Sequence, residues 1–222
     1  MKRFLFAILL LSAVRTASAV PTASGVHALF ATAAVAVSSP AEGRAEEILE
    51  KLAAGFRSLG AYGVTFEVVA DEYTTRGRYA VEGENYYIAV GEAEVYCDGK
   101  IRYEIDNRRR EVTIDEVDTS SRNMLSNPVH AFDFIGTQYT PSLVSDEDGR
   151  AVVRLTPTSA NASPAGEILV TVDTAAMRPE SLRYDYDGER VGIAVLGVAP
   201  LGTPLKAFSK GDYEGYEFID FR

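Results

Sequence analysis

Val95-Tyr96-Cys97-Asp98-Gly99-Lys100-Ile101-Arg102-Tyr103 is the stretch on which the reading of the fold turns. An Asp-Gly pair sits between Ala93 to Cys97 and Ile101 to Ile105, two runs rich in strand-forming residues. Aspartate and glycine tolerate the positive φ that a tight turn demands, so the stretch reads as a β-hairpin. Upstream, Val64, Phe66 and Val68 alternate with Thr65, Glu67 and Val69, the period of two continues through Tyr79 and Val81, and Asn85 to Val90 is apolar on both faces. Downstream, Val112 and Ile114 close this first run of strands. Between Thr119 and Val144 the apolar residues keep no clean two-residue period, which reads as short helices or a compact loop. Alternation returns at Ala151, Val153 and Leu155, at Ile168, Val170 and Val172, and at Leu182, Tyr184 and Tyr186, with Asp148-Gly149 and Asp187-Gly188 as turns. Val191 to Val198 adds a strand that is apolar throughout. Roughly nine or ten antiparallel strands joined by hairpins imply a strongly curved sheet, since so many rarely stay open and flat. The class is α+β, mainly antiparallel β.

Ahead of the strands, Ile48, Leu49, Leu52, Phe56 and Leu59 recur at helical spacing with Glu46, Glu47, Glu50, Lys51 and Arg57 between them. That is one amphipathic helix, Ala41 to Gly60, placed to cover an opening of the sheet. Still earlier, Met1-Lys2-Arg3, the apolar run Phe4 to Val14 and the small residues Ala17-Ser18-Ala19 make a secretory signal peptide over residues 1–19. Ala34-Val35-Ala36 offers a second cleavage point. Residues 20–40 are rich in Ala, Ser and Thr and read as a low-complexity tail, leaving 41–222 as one domain. Removing residues 1–19 takes away Lys2, Arg3 and Arg15 and moves the formal charge from -10 to -13. Nucleic acid is thereby a poor partner, because phosphate binding needs a basic face.

Chemistry is sparsely provided. Of the two histidines, His27 lies in the tail and His130 stands alone, without the context of a nucleophile elbow. No cysteine or histidine pair has ligand spacing, and Cys97 is the only cysteine, read as a small buried residue on its strand. Asp115, Glu116 and Asp118, like Asp146, Glu147 and Asp148, lack the spacing of a calcium loop and read as solvated turns. The expectation is a protein that is not an enzyme and needs no cofactor or metal. What remains is aromatic and aliphatic surface: 12 Tyr and 10 Phe without a Trp, enough to build a core and, on the functional reading, to line a cavity.

The order of elements and the hydrophobic-x-Asp-Gly-Lys hairpin resemble the outer-membrane lipoprotein carrier family known as LolA. Val95 to Tyr103 looks like that family's hairpin, and Asn107 to Ile114 like the basic turn and Val-Thr-Ile strand that follow it. Tyr213 to Arg222 looks like the ending of the family's Bacteroides-type branch. The resemblance implies an incomplete, half-open β-barrel with a short helical lid, working as a periplasmic monomer that shelters lipoprotein acyl chains and delivers them toward the outer membrane. An inner-membrane lipoprotein-releasing transporter is the implied donor. Phe66, Val68, Tyr79, Val81, Tyr86, Ile88, Ile101 and Tyr103 would line the apolar cavity, and Phe132, Phe134 and Ile135 would belong to the lid. The family carries a basic residue followed by proline near this hairpin, and its arginine helps to hold the lid. Here the corresponding Val81-Glu82-Gly83-Glu84-Asn85 has no arginine. The alternative is a regulatory module on the same half-barrel that senses a lipid or a partner protein.

Overall fold

The computed structural model describes residues 40–70, 73–117, 129, 138–158, 166–186 and 188–222. The proposed signal peptide and nearly all of the tail, together with His130, Phe132, Phe134 and Ile135, lie outside the described residues.

A helix, α1 (Pro40–Leu59), precedes the strands. Proline suits a first helical position because its missing N–H would have no partner there. At the other end Gly60 takes φ +68, the left-handed turn that stops a helix, and its N–H reaches the Arg57 carbonyl at 3.3 Å.

Among the described residues twelve strands follow: β1 (Ala61–Ala70), β2 (Tyr73–Glu82), β3 (Asn85–Val90), β4 (Ala93–Cys97), β5 (Ile101–Asp106), β6 (Glu111–Glu116), β7 (Tyr139–Glu147), β8 (Arg150–Pro157), β9 (Ile168–Asp173), β10 (Arg178–Tyr186), β11 (Glu189–Pro200) and β12 (Glu217–Asp220). They form one open sheet in the order β12-β6-β5-β4-β3-β2-β1-β11-β10-β9-β8-β7. A short 3-10 helix, Lys210–Tyr213, precedes β12.

Two strands were hidden from the pattern. β7 occupies the end of the stretch expected to be helix or loop, and a bulge between Leu143 and Ser145 pushes Val144 outward. The extra residue breaks the two-residue period, which is why the alternation fails there. β12 pairs with β6 in parallel, so it correlates with no hairpin partner beside it in sequence. The other described pairs are antiparallel.

Ala45, Ile48, Leu49 and Leu52 of α1 pack into one buried cluster with residues from β1, β3 and β7 to β11, among them Val68, Val90, Tyr139, Val153, Val170 and Val191. In a flat sheet β3 and β7 would stand about 34 Å apart, at ~4.8 Å per strand. That exceeds the ~30 Å length of a 20-residue helix. The strands therefore curl toward α1, which defines an inner face. Arg44 ties the helix to the far edge through Asp146 of β7, at 3.0 Å.

The outer face is dressed differently. Beyond β11 the chain returns across β1 to β6, where Leu201 N–H bonds the Ala61 carbonyl and Leu205 N–H bonds a Glu82 carboxylate oxygen. Leu205, Phe208, Tyr213, Tyr216 and Phe218 pack on Tyr87, Tyr96, Tyr103, Ile105 and Val112. The C-terminal segment is thus a strap over one half of the sheet.

Candidate functional site

Strand register decides which side chains meet. On the inner face the ladder runs from Tyr62 and Val64 of β1 to Val81 and Tyr79 of β2, then to Tyr86 and Ile88 of β3, and on to Cys97 and Val95 of β4. Tyr62, Val81, Tyr86, Val95 and Cys97 form a second buried cluster, with Val64, Tyr79 and Ile88 half-buried against it. Phe56 and Leu59, at the end of α1, pack on this cluster, and the Phe56 and Tyr62 rings meet edge-on at 5.0 Å. Val117, just beyond β6, and Val129 pack there too.

The tyrosines bring polar tips to an apolar wall. Tyr62 and Tyr79 share a hydroxyl hydrogen bond, and burial raises both phenols above their ordinary range. Tyr86 is almost wholly buried; desolvation raises it as well, and its hydroxyl bonds with Cys97 and Arg102. Burial also pushes the Cys97 thiol up, against the Gly99 N–H that donates to Sγ at 3.3 Å. None of these groups is activated for nucleophilic work. Among the described residues no group of three or more His, Cys, Asp or Glu is placed to hold a metal ion.

The eight expected wall residues do not share one face. Tyr79, Val81, Tyr86 and Ile88 come together on the inner face. Phe66 lies beside them, its ring over Gly77, where a Cβ would come within 2.4 Å of it. Val68 belongs to the core beneath α1. Ile101 and Tyr103 point the other way: Cys97 pairs with Arg102, and Tyr103 pairs with Tyr96 on the outer face. Four residues, Asp98 to Ile101, stand between the paired Cys97 and Arg102. An even number leaves the odd-numbered residues of β5 opposite the even-numbered ones of β4, and a two-residue Asp-Gly turn would have had the same effect. The signal was present in the turn.

What the inner face does carry on β5 and β6 is charge. Arg102 and Glu104 form an ion pair with side chains only 14% and 15% exposed. Across the ladder, Arg102 faces Asp115 and Glu104 faces Thr113. Asp115 is therefore on the inner wall of β6 rather than in a solvated turn. Desolvation raises the Glu104 carboxyl above its usual range, the Arg102 charge opposes this, and the Asp115 charge adds to it. The β2–β3 turn has no arginine, and Glu82 beside it serves the strap instead. Arg76 pairs with Glu67 at 3.6 Å, and Arg78 lies over the Tyr87 ring on the outer face.

That outer face has a polar hub of its own. The Glu94 carboxylate accepts from Tyr87 at 2.7 Å, Tyr96 at 3.2 Å and Asn107 at 2.9 Å, while Arg78 donates to the Tyr87 hydroxyl. Tyr213 and Tyr216 of the strap join through Tyr96 and Asn107. Burial drives the Tyr87 phenol up to about 12.

No protein-family model and no curated protein sequence matches the chain. Among solved structures, an uncharacterized conserved protein from Thermus thermophilus is similar with TM-score 0.49 and 10% identity, covering 80% of this chain and 99% of that one. A putative outer membrane lipoprotein-sorting protein domain from Vibrio parahaemolyticus is similar with TM-score 0.43 and 14% identity, over 78% of this chain and 97% of that one. A LolA superfamily protein from Nitrosomonas europaea is similar with TM-score 0.38 and 13% identity, over 76% of this chain and 96% of that one.

Proposed function

We propose that this protein is a periplasmic carrier that shelters the acyl chains of lipoproteins on its inner face and delivers them toward the outer membrane. The observation that carries this reading is the wall on β1 to β4: Phe66, Tyr79 and Ile88 stay half-buried on the concave side beside fully buried neighbours, where one helix is too narrow to cover the whole face. Tyr79, Val81, Tyr86 and Ile88 form the wall, with Phe66 next to them and Val68 at its border with the helix-covered core. Residues 1–19 are the export signal and 20–40 a tail. The segment between β6 and β7, with Phe132, Phe134 and Ile135, is the lid; Val117 and Val129 packing on the wall supports that course. The cargo comes from an inner-membrane lipoprotein-releasing transporter, and the carrier works as a monomer.

The physics of such a carrier is a competition. Burial of an acyl chain gains about 0.8 kcal/mol per methylene, so a sixteen-carbon chain would gain on the order of 12 kcal/mol gross. A protein that must release its cargo profits when its own lid occupies the empty wall and offsets most of that gain. No covalent chemistry is required.

The test is to purify the exported protein, extract it and identify what travels with it by mass spectrometry, with a photo-crosslinker at Tyr86 in parallel. Acylated peptides or lipids, and lipoproteins captured at Tyr86, are the expected result. A protein that emerges empty and binds no acyl ligand would sink the reading.

A further inference from the structure

The inner face is apolar only as far as β4. The alternation then reverses: β5 spends its apolar residues Tyr103 and Ile105 on the outer face, where the strap covers them, and turns Arg102 and Glu104 inward. Asp115 follows on β6. Two side chains of this cluster are largely removed from water, and burying charge opposes folding unless partners compensate. Among the described residues the cluster sets one guanidinium beside two carboxylates, with the Glu116 N–H donating to Asp115 Oδ1 at 2.9 Å. The cluster begins one strand beyond the Tyr86–Cys97 pair, and the Tyr86 hydroxyl bonds to Arg102, so wall and cluster are continuous. From Tyr79 on β2 to Arg102 on β5 the face spans three strand spacings, about 14 Å. An apolar strip that ends in paired opposite charges has the pattern of an amphiphile.

We propose that Arg102, Glu104 and Asp115 form a head-group subsite for a zwitterionic amphiphile of the phosphoethanolamine type. Its phosphate would lie at the Arg102 guanidinium and its primary ammonium at the Glu104 and Asp115 carboxylates, with the acyl chain along Tyr86, Ile88 and Tyr79. Arginine recognises phosphate through its planar fork of donors. The two carboxylates accept from an ammonium that carries hydrogens, and they repel a head group that is only anionic. The inference rests on the reading that the inner face holds acyl chains, and goes beyond it by naming the head group.

Calorimetric titration below the micellar concentration tests it, with three probes of one chain length: lysophosphatidylethanolamine, lysophosphatidylglycerol and uncharged monopalmitin. The wild-type protein should bind the ethanolamine lipid about tenfold more tightly than the glycerol lipid. Arg102→Met with Glu104→Leu, an exchange that buried ion pairs often tolerate, should bring the two lipids within about threefold while monopalmitin binding persists. Asp115→Asn, at a partly exposed position, should lower the ratio with the ion pair intact and guards against misfolding of the double variant. Equal binding of the two charged lipids by the wild type, or an unchanged ratio in both variants, overturns the head-group subsite alone if monopalmitin still binds. Failure of all three probes to bind overturns the carrier reading and the subsite with it.

Discussion

Phe208 lies flat on Tyr103, ring centroids 4.0 Å apart and planes within 7° of parallel. Phe208 also stacks on Tyr213 at 5.5 Å, so a ring from the strap is held between a strand residue and the 3-10 helix. Tyr103 is consequently part of the outer-face core, and the strap is a structural layer of the sheet. The outer face of β3 to β6 would otherwise expose several aromatic rings, a patch that soluble proteins rarely leave bare.

Phe208→Ala should therefore cost about 2–4 kcal/mol of stability, in the range of aromatic truncations in a core. Urea unfolding followed by tyrosine fluorescence measures it. Acyl-ligand affinity should not change, because the ring is on the face away from the wall.

Stability should fall in mild acid through Glu94. Burial raises the pKa of this carboxyl, but hydrogen bonds from Asn107, Tyr87, Tyr96 and Tyr213 outweigh it and leave the folded value below the ordinary one. A depressed carboxyl contributes stability that is present above the unfolded pKa and disappears as pH drops through the folded one. The loss begins near the ordinary carboxylate range and continues below it, so between pH 6 and pH 3 the wild type should lose more of its urea midpoint than Glu94→Gln does, and equal losses would exclude Glu94 as the source.

At Gly77 the constraint is steric. A Cβ there would lie 2.4 Å from the Phe66 ring and 2.9 Å from Val90. Gly77→Ala should destabilise by about 1–3 kcal/mol, as overpacking does. Phe66→Leu in the same chain should recover part of the loss, a coupling that a double-mutant cycle reads out.

Cys97 should be slow to react. It is 6% exposed, forms no disulfide, and burial raises its thiol pKa. Thiol titration at pH 8 should find it protected in the native protein and fully reactive in denaturant; fast native labelling would show that the inner face at β4 opens readily.

Much of the architecture was legible along the chain. Ile48, Leu49, Leu52 and Phe56 at helical spacing, Val64 to Val68 at strand spacing, and the Asp-Gly turns are local signals, and each depends on neighbours a few residues away. β7 and β12 escaped for reasons equally physical: a bulge at Val144 scrambles the period of the first, and the second finds its parallel partner β6 about a hundred residues earlier.

The residues expected to line the cavity divide between two faces of the sheet. Tyr79, Val81, Tyr86 and Ile88 share a face because consecutive hairpins keep their register, whereas Ile101 and Tyr103, which the resemblance places with them, stand on the opposite face. An apolar residue wants a partner but does not say on which side it waits. The charged set of Arg102, Glu104 and Asp115 was missed for the complementary reason, since charges along a strand ordinarily mark the solvent side.

By itself, then, the sequence determined a mainly antiparallel sheet after one amphipathic helix, because alternation and turn chemistry act within a few residues. The sides of that sheet were decided only by the tertiary structure. Over β1 to β4 the end of α1 packs against part of one face while the C-terminal strap packs on the other, so apolar residues find partners on either side. Where burial no longer distinguishes the faces, register does: turn length sets it within each hairpin, and pairing between distant strands sets it at β1–β11 and β6–β12.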